Sequence, residues 1–577
     1  MTTSTDAPRR VEAAPDEPAL TTRVDTRRSS TDGHRHRGVW AWVRRVAGWL
    51  LTVLAVALVW FGLVAPDRIS QLTPSAFLRL PLEIVGLAAL ALLLPLRWWR
   101  VVAVTSGLVL GIVSVFKVMD MGFHEILNRP FDAVIDWTYL DSAVGVVDDS
   151  VGRAAAIGVS VAAGLLTLVV LSLTPLALLR LGRLLREHRR GSLFAVGVAA
   201  VTFALLALLG VRTVHSWPVA TTDASSYVYD QVARIPAGIR DQREFARAAE
   251  EDPLRDVPSD QLFTALEGKD VLVVFVESWG RVALQDSAMA PGVDAVLDRQ
   301  ARALQAKGFD ARSAFLTSPT FGAVSWLAHA TLQSGLWVEN QRRYDVLVTS
   351  PRLTLSDLFG QAGWRTVADV PANTHDWPQG EFYGFDKVYD SRNVGYQGPA
   401  FGYPSMPDQY TLDAFRRLEL DRTDRDPVMA EIDLISSHAP WVPLPRMVPW
   451  NEVGDGSAFD GMPERGLTRE EAWQDAASVQ EAYGRSIEYT LTALYSWVRK
   501  YGDDDTVLVV LGDHQPTTIV AGEDADRDVP ISIVARDPAV LRQIDGWGWQ
   551  QGFNPTPDAP VWPMDSFRDR FVGAYGP

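Results

Sequence analysis

The chain has 577 residues, no cysteine, 47% hydrophobic residues and a formal net charge of −16. This length and hydrophobicity suit a membrane part followed by one soluble domain. The lack of cysteine excludes disulfide bonds, so a soluble domain of roughly 320 residues must be held together by its own apolar core.

Residues 1–37 are rich in Thr, Ser, Arg, Asp and Pro, which predicts a disordered cytoplasmic tail rather than a cleavable signal peptide. Residues 38–212 contain five apolar segments, most of them close to the roughly 20 residues that cross a bilayer. The second segment is short and carries Pro81 and Glu83 near its start. The predicted spans are Val46–Ala65, Leu80–Leu96, Val101–Val118, Ala154–Leu178 and Ser192–Val211.

The distribution of arginine predicts the orientation of these spans. Several arginines precede the first span, and five more fill the short loop between the fourth and fifth spans, whereas the loop from Met119 to Gly152 is mostly acidic. Positive residues remain in the cytoplasm. We therefore expect a multi-pass plasma-membrane protein with a cytoplasmic N-terminus and an extracellular domain after Arg212.

Charge divides the chain at the same place. Residues 1–211 contain 21 basic and 16 acidic side chains, a net charge of +5, which leaves −21 on the remainder. An acidic outer domain argues against a nucleic-acid partner. The spans contain almost no charged residues near their centres, which argues against a transporter.

Residues 213–262 read as a connector with one or two helices, and residues 263–577 alternate between strand and helix patterns. Such alternation predicts an α/β fold with a mostly parallel sheet between helices. The predicted strands are Val271–Val276, Phe309–Leu316, Thr366–Val370, Ala430–Ile435 and Thr506–Leu511, and the predicted helices include Leu353–Ala362 and Ala476–Lys500.

Two of these strands end in potential metal ligands. Asp513 and His514 follow Thr506–Leu511, and Glu277 follows Val271–Val276. The carboxyl ends of parallel strands meet at one edge of a sheet, and a buried carboxylate there needs a nearby cation. Carboxylate oxygen and imidazole nitrogen both bind divalent metals. The alternative for Asp513 and His514 is a turn in which Asp caps a helix and His lies on the surface.

Ser325 lies where a helix is predicted to begin, which is an N-cap position. A hydroxyl there can attack a phosphorus or sulfur centre while the neighbouring backbone amides hold its oxygens. Serine is also an ordinary N-cap residue with a purely structural role. Thr320 is the second candidate for the nucleophile, and Thr317 is a weaker third.

The ordered set Glu277, Ser325, His438-Ala439-Pro440 and Asp513-His514 resembles that of lipoteichoic acid synthases and related membrane-anchored phosphoglycerol or phosphoethanolamine transferases. These enzymes belong to the alkaline phosphatase/sulfatase superfamily, and they also place five spans before an outer catalytic domain. The resemblance covers nearly the whole chain. It implies an alkaline-phosphatase/sulfatase-like domain preceded by a five-helix transmembrane domain.

The resemblance also implies roles for individual residues. It assigns one divalent ion (Mn, Mg or Zn), a nucleophile that is itself a metal ligand, a histidine that binds the substrate phosphate, and an aromatic side chain that lines the head-group pocket. In this chain those positions are the metal ligands Glu277, Asp513 and His514, the nucleophile Ser325, the phosphate-binding His438 and the pocket residue Trp377.

Several positions depart from the family pattern. Gln379 stands where the transferases have arginine, and Val370 stands where they have histidine. The Cys-x-Pro-x-Arg signature of true sulfatases is missing, because Ser325 to His329 contains no Cys, Pro or Arg. His329 occupies the position of that arginine. It either contacts the nucleophile or a substrate oxygen, or it is a partly buried helix histidine, and Thr320 is a further candidate for substrate contact.

The sequence therefore predicts a metal-dependent transferase. It would move a phosphoglycerol- or phosphoethanolamine-type group from a membrane phospholipid to an extracytoplasmic glycan or glycolipid through a phospho-serine intermediate. One alternative is a sulfatase-like or phosphodiesterase hydrolase with the same metal site. Another is a non-enzymatic protein whose outer domain only binds lipid or glycan.

Overall fold

The computed structural model describes residues 32–140, 144–145, 152–213, 216–285, 287–402 and 406–576. Residues 1–31 of the predicted tail lie outside the described residues, as does most of the stretch 141–151 in the predicted acidic loop. The last residues of the predicted tail, from Asp32 onwards, belong to the first helix.

The N-terminal part is a bundle of apolar helices joined to the outer domain by one polar helix. Four of the described helices are long and apolar enough to cross a membrane: Trp42–Val64, Leu96–Leu127, Arg153–Glu187 and Arg189–Leu208. They anchor the protein in a membrane. The elements are α1 (Asp32–Val64), β1 (Leu80–Pro81), α2 (Leu82–Leu93), α3 (Leu96–Leu127), α4 (Arg153–Glu187), α5 (Arg189–Leu208), β2 (Ala220–Thr221) and α6 (Asp223–Glu250).

The predicted second span is the exception. Its helix α2 has 12 residues and is therefore about 18 Å long, shorter than the roughly 30 Å hydrocarbon core of a bilayer. Arg79, just before α2, contacts the carbonyl oxygen of Val64 at the end of α1. Beyond α2, the carbonyl of Leu94 accepts a hydrogen bond of 2.7 Å from Arg186, near the end of α4. These contacts indicate that α2 lies across the helix bundle. Five passes through the membrane therefore remain a prediction.

Glycines allow the long helices to approach closely. A Cβ atom on Gly107 of α3 would overlap the backbone of Pro175 in α4, and one on Gly182 of α4 would overlap the ring of Trp99. Small residues at helix contacts are the usual means of close packing in membranes, where lipid offers no hydrophobic driving force between helices.

Helix α3 continues beyond the bundle into contact with the outer domain. Its 32 residues give it a length of about 48 Å. The hydroxyl of Thr518 donates a hydrogen bond of 2.8 Å to the carbonyl of Glu125, and the side chain of Asn128 donates one of 2.9 Å to the carbonyl of Glu523. The end of α3 is thus fixed to the outer domain.

The outer domain alternates strands and helices as expected, and the predicted elements named above lie within two residues of the observed ones. Its elements are β3 (Asp270–Val276), α7 (Ala290–Gln305), β4 (Asp310–Thr317), α8 (Trp326–Ser334), α9 (Gln341–Leu347), α10 (Leu355–Gln361), β5 (Arg365–Val370), β6 (Lys387–Asp390), α11 (Asp408–Phe415), β7 (Val428–Leu434), α12 (Arg469–Ala472), α13 (Ala476–Tyr501), β8 (Thr506–Gly512), α14 (Thr518–Ala521), β9 (Asp528–Ala535), α15 (Pro538–Arg542), β10 (Gln550–Gln551), β11 (Val561–Pro563) and α16 (Phe567–Tyr575).

These strands form one mixed sheet in the order β10-β4-β9-β8-β3-β7-β5-β6, with β11 also paired to β4. Strands β8, β3, β7, β5 and β6 run parallel, whereas β9 is antiparallel to both β8 and β4. The expected parallel sheet is therefore its central part, and one side is mixed. Every residue of β3 and β8 is buried.

Apolar layers cover both faces of the sheet. On one face, Leu272 and Val274 of β3 pack with residues of α7 and α13, including Ile487 and Leu491. The other face of β3 packs in a second core that includes residues of α8, α10 and α16. This sandwich leaves the carboxyl edge of the central strands as the place where polar side chains gather.

Because the chain has no natural cysteine, single cysteines can test the predicted topology without background. Ser457 and His188 are both exposed, one in the outer domain and the other between α4 and α5. With five passes, a membrane-impermeant maleimide added to intact cells labels Ser457→Cys, and it labels His188→Cys only after the cells are permeabilised. If intact cells label His188→Cys but not Ser457→Cys, the orientation in the membrane is the opposite of the predicted one.

Candidate active site

The pairing of β3 with β8 brings the predicted metal ligands together. Val276 pairs with Gly512 at the carboxyl ends of these parallel strands, so Glu277 and Asp513 emerge side by side. One Asp513 carboxylate oxygen accepts hydrogen bonds of 2.7 Å from the backbone amides of Ser278 and His514. The strand ends themselves therefore fix the orientation of this carboxylate.

Ser325 joins the same cluster. It occupies the N-cap position of α8 but makes no capping hydrogen bond with its side chain. Its hydroxyl instead donates to Glu277 Oε2 at 3.0 Å and lies 3.2 Å from His514 Nε2. Val324 (φ 63°) and Ser278 (φ 56°) adopt left-handed conformations beside Ser325 and Glu277. Such strained backbone commonly accompanies functional side chains.

The donor atoms of this cluster fit a divalent cation. Ligand atoms of Glu277, Asp513 and His514 all lie within 4.8 Å of one another. Within the described part of the chain, Asp513 Oδ2 is buried and lacks a hydrogen-bond partner. His514 Nδ1 must donate to the carbonyl of Gln515, 2.8 Å away, because a carbonyl only accepts. This leaves the Nε2 lone pair for a metal, in the usual arrangement of a ligating histidine.

The electrostatics of the cluster also call for positive charge. Burial tends to raise the pKa of Glu277, but the nearby imidazoles of His514 and His438 and nearby hydrogen bonds lower it. Burial and the neighbouring Glu277 raise the pKa of Asp513. One of two adjacent buried carboxylates thus resists ionisation unless a cation compensates the charge.

His329 lies one helical turn after Ser325 in a second polar cluster. Its Nδ1 is 2.9 Å from Glu431 Oε1 and 3.6 Å from Asp433 Oδ1, and its ring stacks on Phe275 at 3.8 Å between centroids. Burial lowers the pKa of His329, but the two carboxylates outweigh this and raise it to about 9. His329 is therefore an imidazolium ion paired with β7 at neutral pH.

His438 lies close enough to influence the charge of Glu277. Its Nδ1 is 2.7 Å from the carbonyl of Ala439. A small recess opens beside it, and its lining includes Phe401, Ser436 and Trp441. His438 therefore lies near the cluster, and its role in binding substrate stays a prediction.

The remaining predicted residues lie around the cluster of Glu277, Ser325, Asp513 and His514 and do not join it. The Thr320 hydroxyl donates to the carbonyl of Ala323 at 2.7 Å, and the Thr317 hydroxyl donates to Asp528 at 2.8 Å. Trp377 packs on Tyr383, with ring centroids 5.3 Å apart. In the described residues, neither threonine hydroxyl nor Trp377 forms a hydrogen bond with the cluster around Ser325.

Sequence reasoning missed Glu431 and Asp433. Both point to the same face of β7, because they alternate with Ala430, Ile432 and Leu434 in a strand that is otherwise apolar. Two carboxylates at alternate positions of a buried strand need a cationic partner. That alternation was the available signal, and His329 is the partner.

Residues 269–529 match the family model described as Sulfatase. This range contains Glu277, Ser325, His438, Asp513 and His514. The outer domain thus contains a sulfatase-like region, which supports the superfamily predicted from the motif order. That superfamily consists of metal-dependent enzymes. No curated protein matches the chain.

Three solved structures with low similarity are the lipoteichoic acid synthase LtaP from Listeria monocytogenes, the lipooligosaccharide phosphoethanolamine transferase A from Neisseria meningitidis and the phosphoglycerol transferase GacH from Streptococcus pyogenes. LtaP is 15% identical, with 56% of this chain and 75% of LtaP covered and a TM-score of 0.36. The Neisseria protein is 14% identical, with 56% of this chain and 93% of that protein covered and a TM-score of 0.34. GacH is 13% identical, with 59% of this chain and 91% of GacH covered and a TM-score of 0.33. The family assignment rests on residues 269–529 and not on these similarities.

If the cluster binds a divalent cation, Mn²⁺ must stabilise the protein through Asp513. We expect saturating Mn²⁺ to raise the Tm of the detergent-solubilised chain by about 5 °C, because a ligand that binds only the folded state stabilises it. Asp513→Asn should abolish the increase. Asp433→Asn is the matched control and should retain it, whereas loss of the response in Asp433→Asn alone would move the cation to the cluster around His329.

The ion pair of His329 makes stability depend on pH. Its pKa of about 9 exceeds the unfolded value of about 6.5, so the stabilisation is fully present below pH 6.5 and is lost as pH rises through 9. We expect His329→Gln to reduce the free energy of unfolding by roughly 2 kcal/mol at pH 6 and by little at pH 10. Thermal unfolding across pH checks this, with the exposed His375→Gln as control. A pH-independent difference would contradict the ion pair.

Proposed function

We propose that the protein transfers a phosphoglycerol- or phosphoethanolamine-type group from a membrane phospholipid to an extracytoplasmic glycan or glycolipid. The observation that supports this most is the Ser325 hydroxyl, which caps no amide but points to Glu277 and His514. A serine that gives up its capping bond to join a carboxylate–imidazole cluster is suited to act as a nucleophile.

The chain lacks the equipment of a true sulfatase. Formylglycine formation in that group uses the signature named above, and residues 325–329 of this chain have neither its Pro nor its Arg. An unmodified serine attacks phosphorus and forms a phosphate ester. The motif order that resembles the lipid-dependent transferases and the membrane anchor on the same chain both support a phospholipid donor.

The reaction would proceed in two exchanges of bonds at phosphorus. The Ser325 oxygen forms a bond to the phosphorus of the donor, and the bond from phosphorus to the diacylglycerol oxygen breaks. The proton of the Ser325 hydroxyl leaves with diacylglycerol. An acceptor hydroxyl then forms the new bond to phosphorus, the bond to Ser325 breaks, and the acceptor proton returns to serine.

Several groups favour this reaction by their positions. Glu277, Asp513, His514 and Ser325 would hold one Mn, Mg or Zn ion, which when bound supplies the positive charge that favours the serine alkoxide. The backbone amides at the start of α8 and the side chain of His438 are suited to the non-bridging oxygens of the substrate.

The membrane anchor gives the site a defined supply of substrate. A lipid donor diffuses in the plane of the bilayer, so a tethered site meets it at a high effective concentration. We place the N-terminus in the cytoplasm and the catalytic domain outside the plasma membrane, in accordance with the arginine distribution.

The decisive experiment measures the intact mass of the full-length protein in detergent with Mn²⁺ after exposure to phosphatidylglycerol or phosphatidylethanolamine. We expect a phospho-head-group adduct on the wild type and none on Ser325→Ala, because the Ser325 hydroxyl contacts both Glu277 and His514. Thr320→Ala is the matched control and should form the adduct, since its hydroxyl donates to Ala323.

Other results would change the proposal. An adduct that survives in Ser325→Ala but not in Thr320→Ala would move the nucleophile. An adduct that decays in water as fast as it does with added glycan would indicate a phosphodiesterase. A protein that binds lipid and metal but never forms an adduct or releases diacylglycerol would be a binding protein.

A further inference from the structure

Helix α6, which joins the membrane bundle to the outer domain, carries an exposed apolar stripe. We call it the α6 stripe, and its members are Tyr229 (73% exposed), Val232 (59%), Ile235 (41%) and Ile239 (45%). These residues recur at intervals of three and four, so they lie on one side of the helix. A contiguous exposed apolar patch marks a contact with a membrane or with another protein.

The stripe is a local feature and not the general character of the surface. Among the described residues after α6, the exposed large hydrophobic residues are only Leu467, Ile519 and Val561. Residues 229–239 alone contain four. The outer domain therefore concentrates its exposed apolar side chains on the one helix that connects it to the membrane.

The start of α6 lies at the level where the long helices leave the bilayer. Helix α1 ends at Val64, and the carbonyl of Ala65 accepts a hydrogen bond of 2.7 Å from Lys117 of α3. One turn further along α3, Asp120 accepts a hydrogen bond of 2.6 Å from the hydroxyl of Tyr227 in α6. Lys117 and Asp120 are the first charged residues after the apolar run of α3, so they mark the edge of the hydrocarbon layer.

An aromatic residue from the loop after α3 lies at the same level. Trp137 is 48% exposed, and its ring packs on Phe116 of α3 with 6.2 Å between the centroids. Phe116 directly precedes Lys117. Tryptophan and tyrosine are enriched where a membrane meets water, so the exposed rings of Trp137 and Tyr229 suit this layer.

The far end of α6 packs on the helix that carries the nucleophile. Asp241 accepts a hydrogen bond of 3.1 Å from Arg343 of α9. Phe245 belongs to the same apolar cluster as Leu327 of α8, and Ser325 directly precedes α8. The position of α6 relative to the bilayer is therefore coupled to the position of the nucleophile.

The outer domain meets α3 close to the membrane, which makes α6 run along the bilayer surface. The carbonyl of Ile126 in α3 packs against Gly322, three residues before Ser325. Ile126 lies at most about 9 Å beyond the level of Asp120. Over the stretch from residue 227 to residue 245, α6 extends about 27 Å. Its middle part, which holds the stripe, thus stays near the bilayer surface.

Two arginines follow the stripe and suit the phosphates of lipids. Arg240 and Arg243 are exposed, and neither forms an ion pair with another residue in the described ranges. The side of α6 away from the stripe carries the exposed Asp230 and Glu244. Arginine side chains at the edge of an apolar surface place their stems along it and their charges at the lipid phosphates.

We propose that α6 lies in the bilayer interface on the side of the outer domain, with the α6 stripe among the lipid chains and Arg240 and Arg243 at the phosphates. An amphipathic helix of this kind binds a lipid surface by its buried apolar area and its positive charge. The inference uses the membrane anchor and does not depend on the transfer reaction. It adds a surface contact that fixes the nucleophile helix relative to the membrane.

The test places a single nitroxide label on the full-length protein in phosphatidylcholine nanodiscs, because the chain has no natural cysteine. Electron paramagnetic resonance measures the accessibility of the label to oxygen, which enters lipid, and to a polar nickel chelate, which stays in water. At Val232→Cys and at Ile239→Cys we expect the ratio of oxygen to chelate accessibility to exceed one. Asp230→Cys, on the other side of the same helix, is the matched control and should give a ratio below one.

Three results would overturn the inference. The first is a chelate accessibility at Val232→Cys and Ile239→Cys as high as at Asp230→Cys. The second is a label that neither reagent reaches in discs with one copy, which would mean that protein covers the stripe. The third is spin–spin broadening only in discs with two copies, which would assign the stripe to a second copy of the chain. Either stripe variant carries the test alone if the other does not fold.

Anionic lipid tests the part played by the arginines. Replacing part of the phosphatidylcholine by phosphatidylglycerol should raise the ratio at Ile239→Cys, and the double variant Arg240→Gln/Arg243→Gln should lose this increase. An increase that persists in the double variant would overturn the placement of the arginines at the phosphates.

This placement and the transfer reaction fail separately. Ser325→Ala should leave the label ratios unchanged although it forms no adduct. Lipid exposure of the stripe without any adduct on the wild type would refute the transfer reaction alone. An adduct on a protein whose stripe faces water would refute the placement of α6 alone.

Discussion

Two carboxylates buried at adjacent strand ends impose the main constraint on this protein. Strands β3 and β8 are parallel, fully buried neighbours, so Glu277 and Asp513 emerge together in an environment where like charges repel strongly. A cation is the physical remedy, and the Nε2 atom of His514 and the hydroxyl of Ser325 complete a set of donors around one point. The pairing of β3 with β8 thus creates the local negative charge that a metal-dependent reaction requires.

The same principle operates a second time on a neighbouring strand. Glu431 and Asp433 of β7 also bring negative charge into the interior, but here the protein supplies the cation itself, as His329. Because Ser325 begins α8 and His329 lies one turn later, the ion pair holds the helix that carries the nucleophile. Helix α8 therefore contacts the metal-ligand cluster through Ser325 at its start, and the ion pair of His329 fixes it to β7 one turn later.

Strand ends were the most predictable part of the site. Glu277, Asp513 and His514 follow long runs of β-branched and apolar residues, and parallel strands necessarily end at one edge. The antiparallel part of the sheet was not predictable, since β4 and β9 read like any other buried strand. The contact of α3 with the outer domain depends on segments nearly 400 residues apart, such as Asn128 with Glu523, for which one sequence carries no signal.

The membrane helices were predictable by length and hydropathy, with an instructive exception. Leu82–Leu93 is only twelve residues long, because Arg79 and the short pairing of β1 with β2 replace its expected first turn. The polar loop after α3 reads as solvated, yet Phe131 and Asp136 are fully buried in it. Phe131 packs on Phe116 and Phe123 of α3, and the Tyr139 hydroxyl accepts a hydrogen bond from the Gln341 amide of the outer domain.

The close contact between α3 and Gly322 has a consequence for how such proteins can be divided. The left-handed backbone of Gly322 (φ +71°) leaves no room for a side chain beside the carbonyl of Ile126, and the amide of Gln341 donates at 3.1 Å to the Tyr139 hydroxyl. A fragment that begins after α5 would lack these partners. In chimeras between relatives, three segments must therefore be exchanged together. They are α3, the loop that follows it, and residues 318–324, which directly precede Ser325.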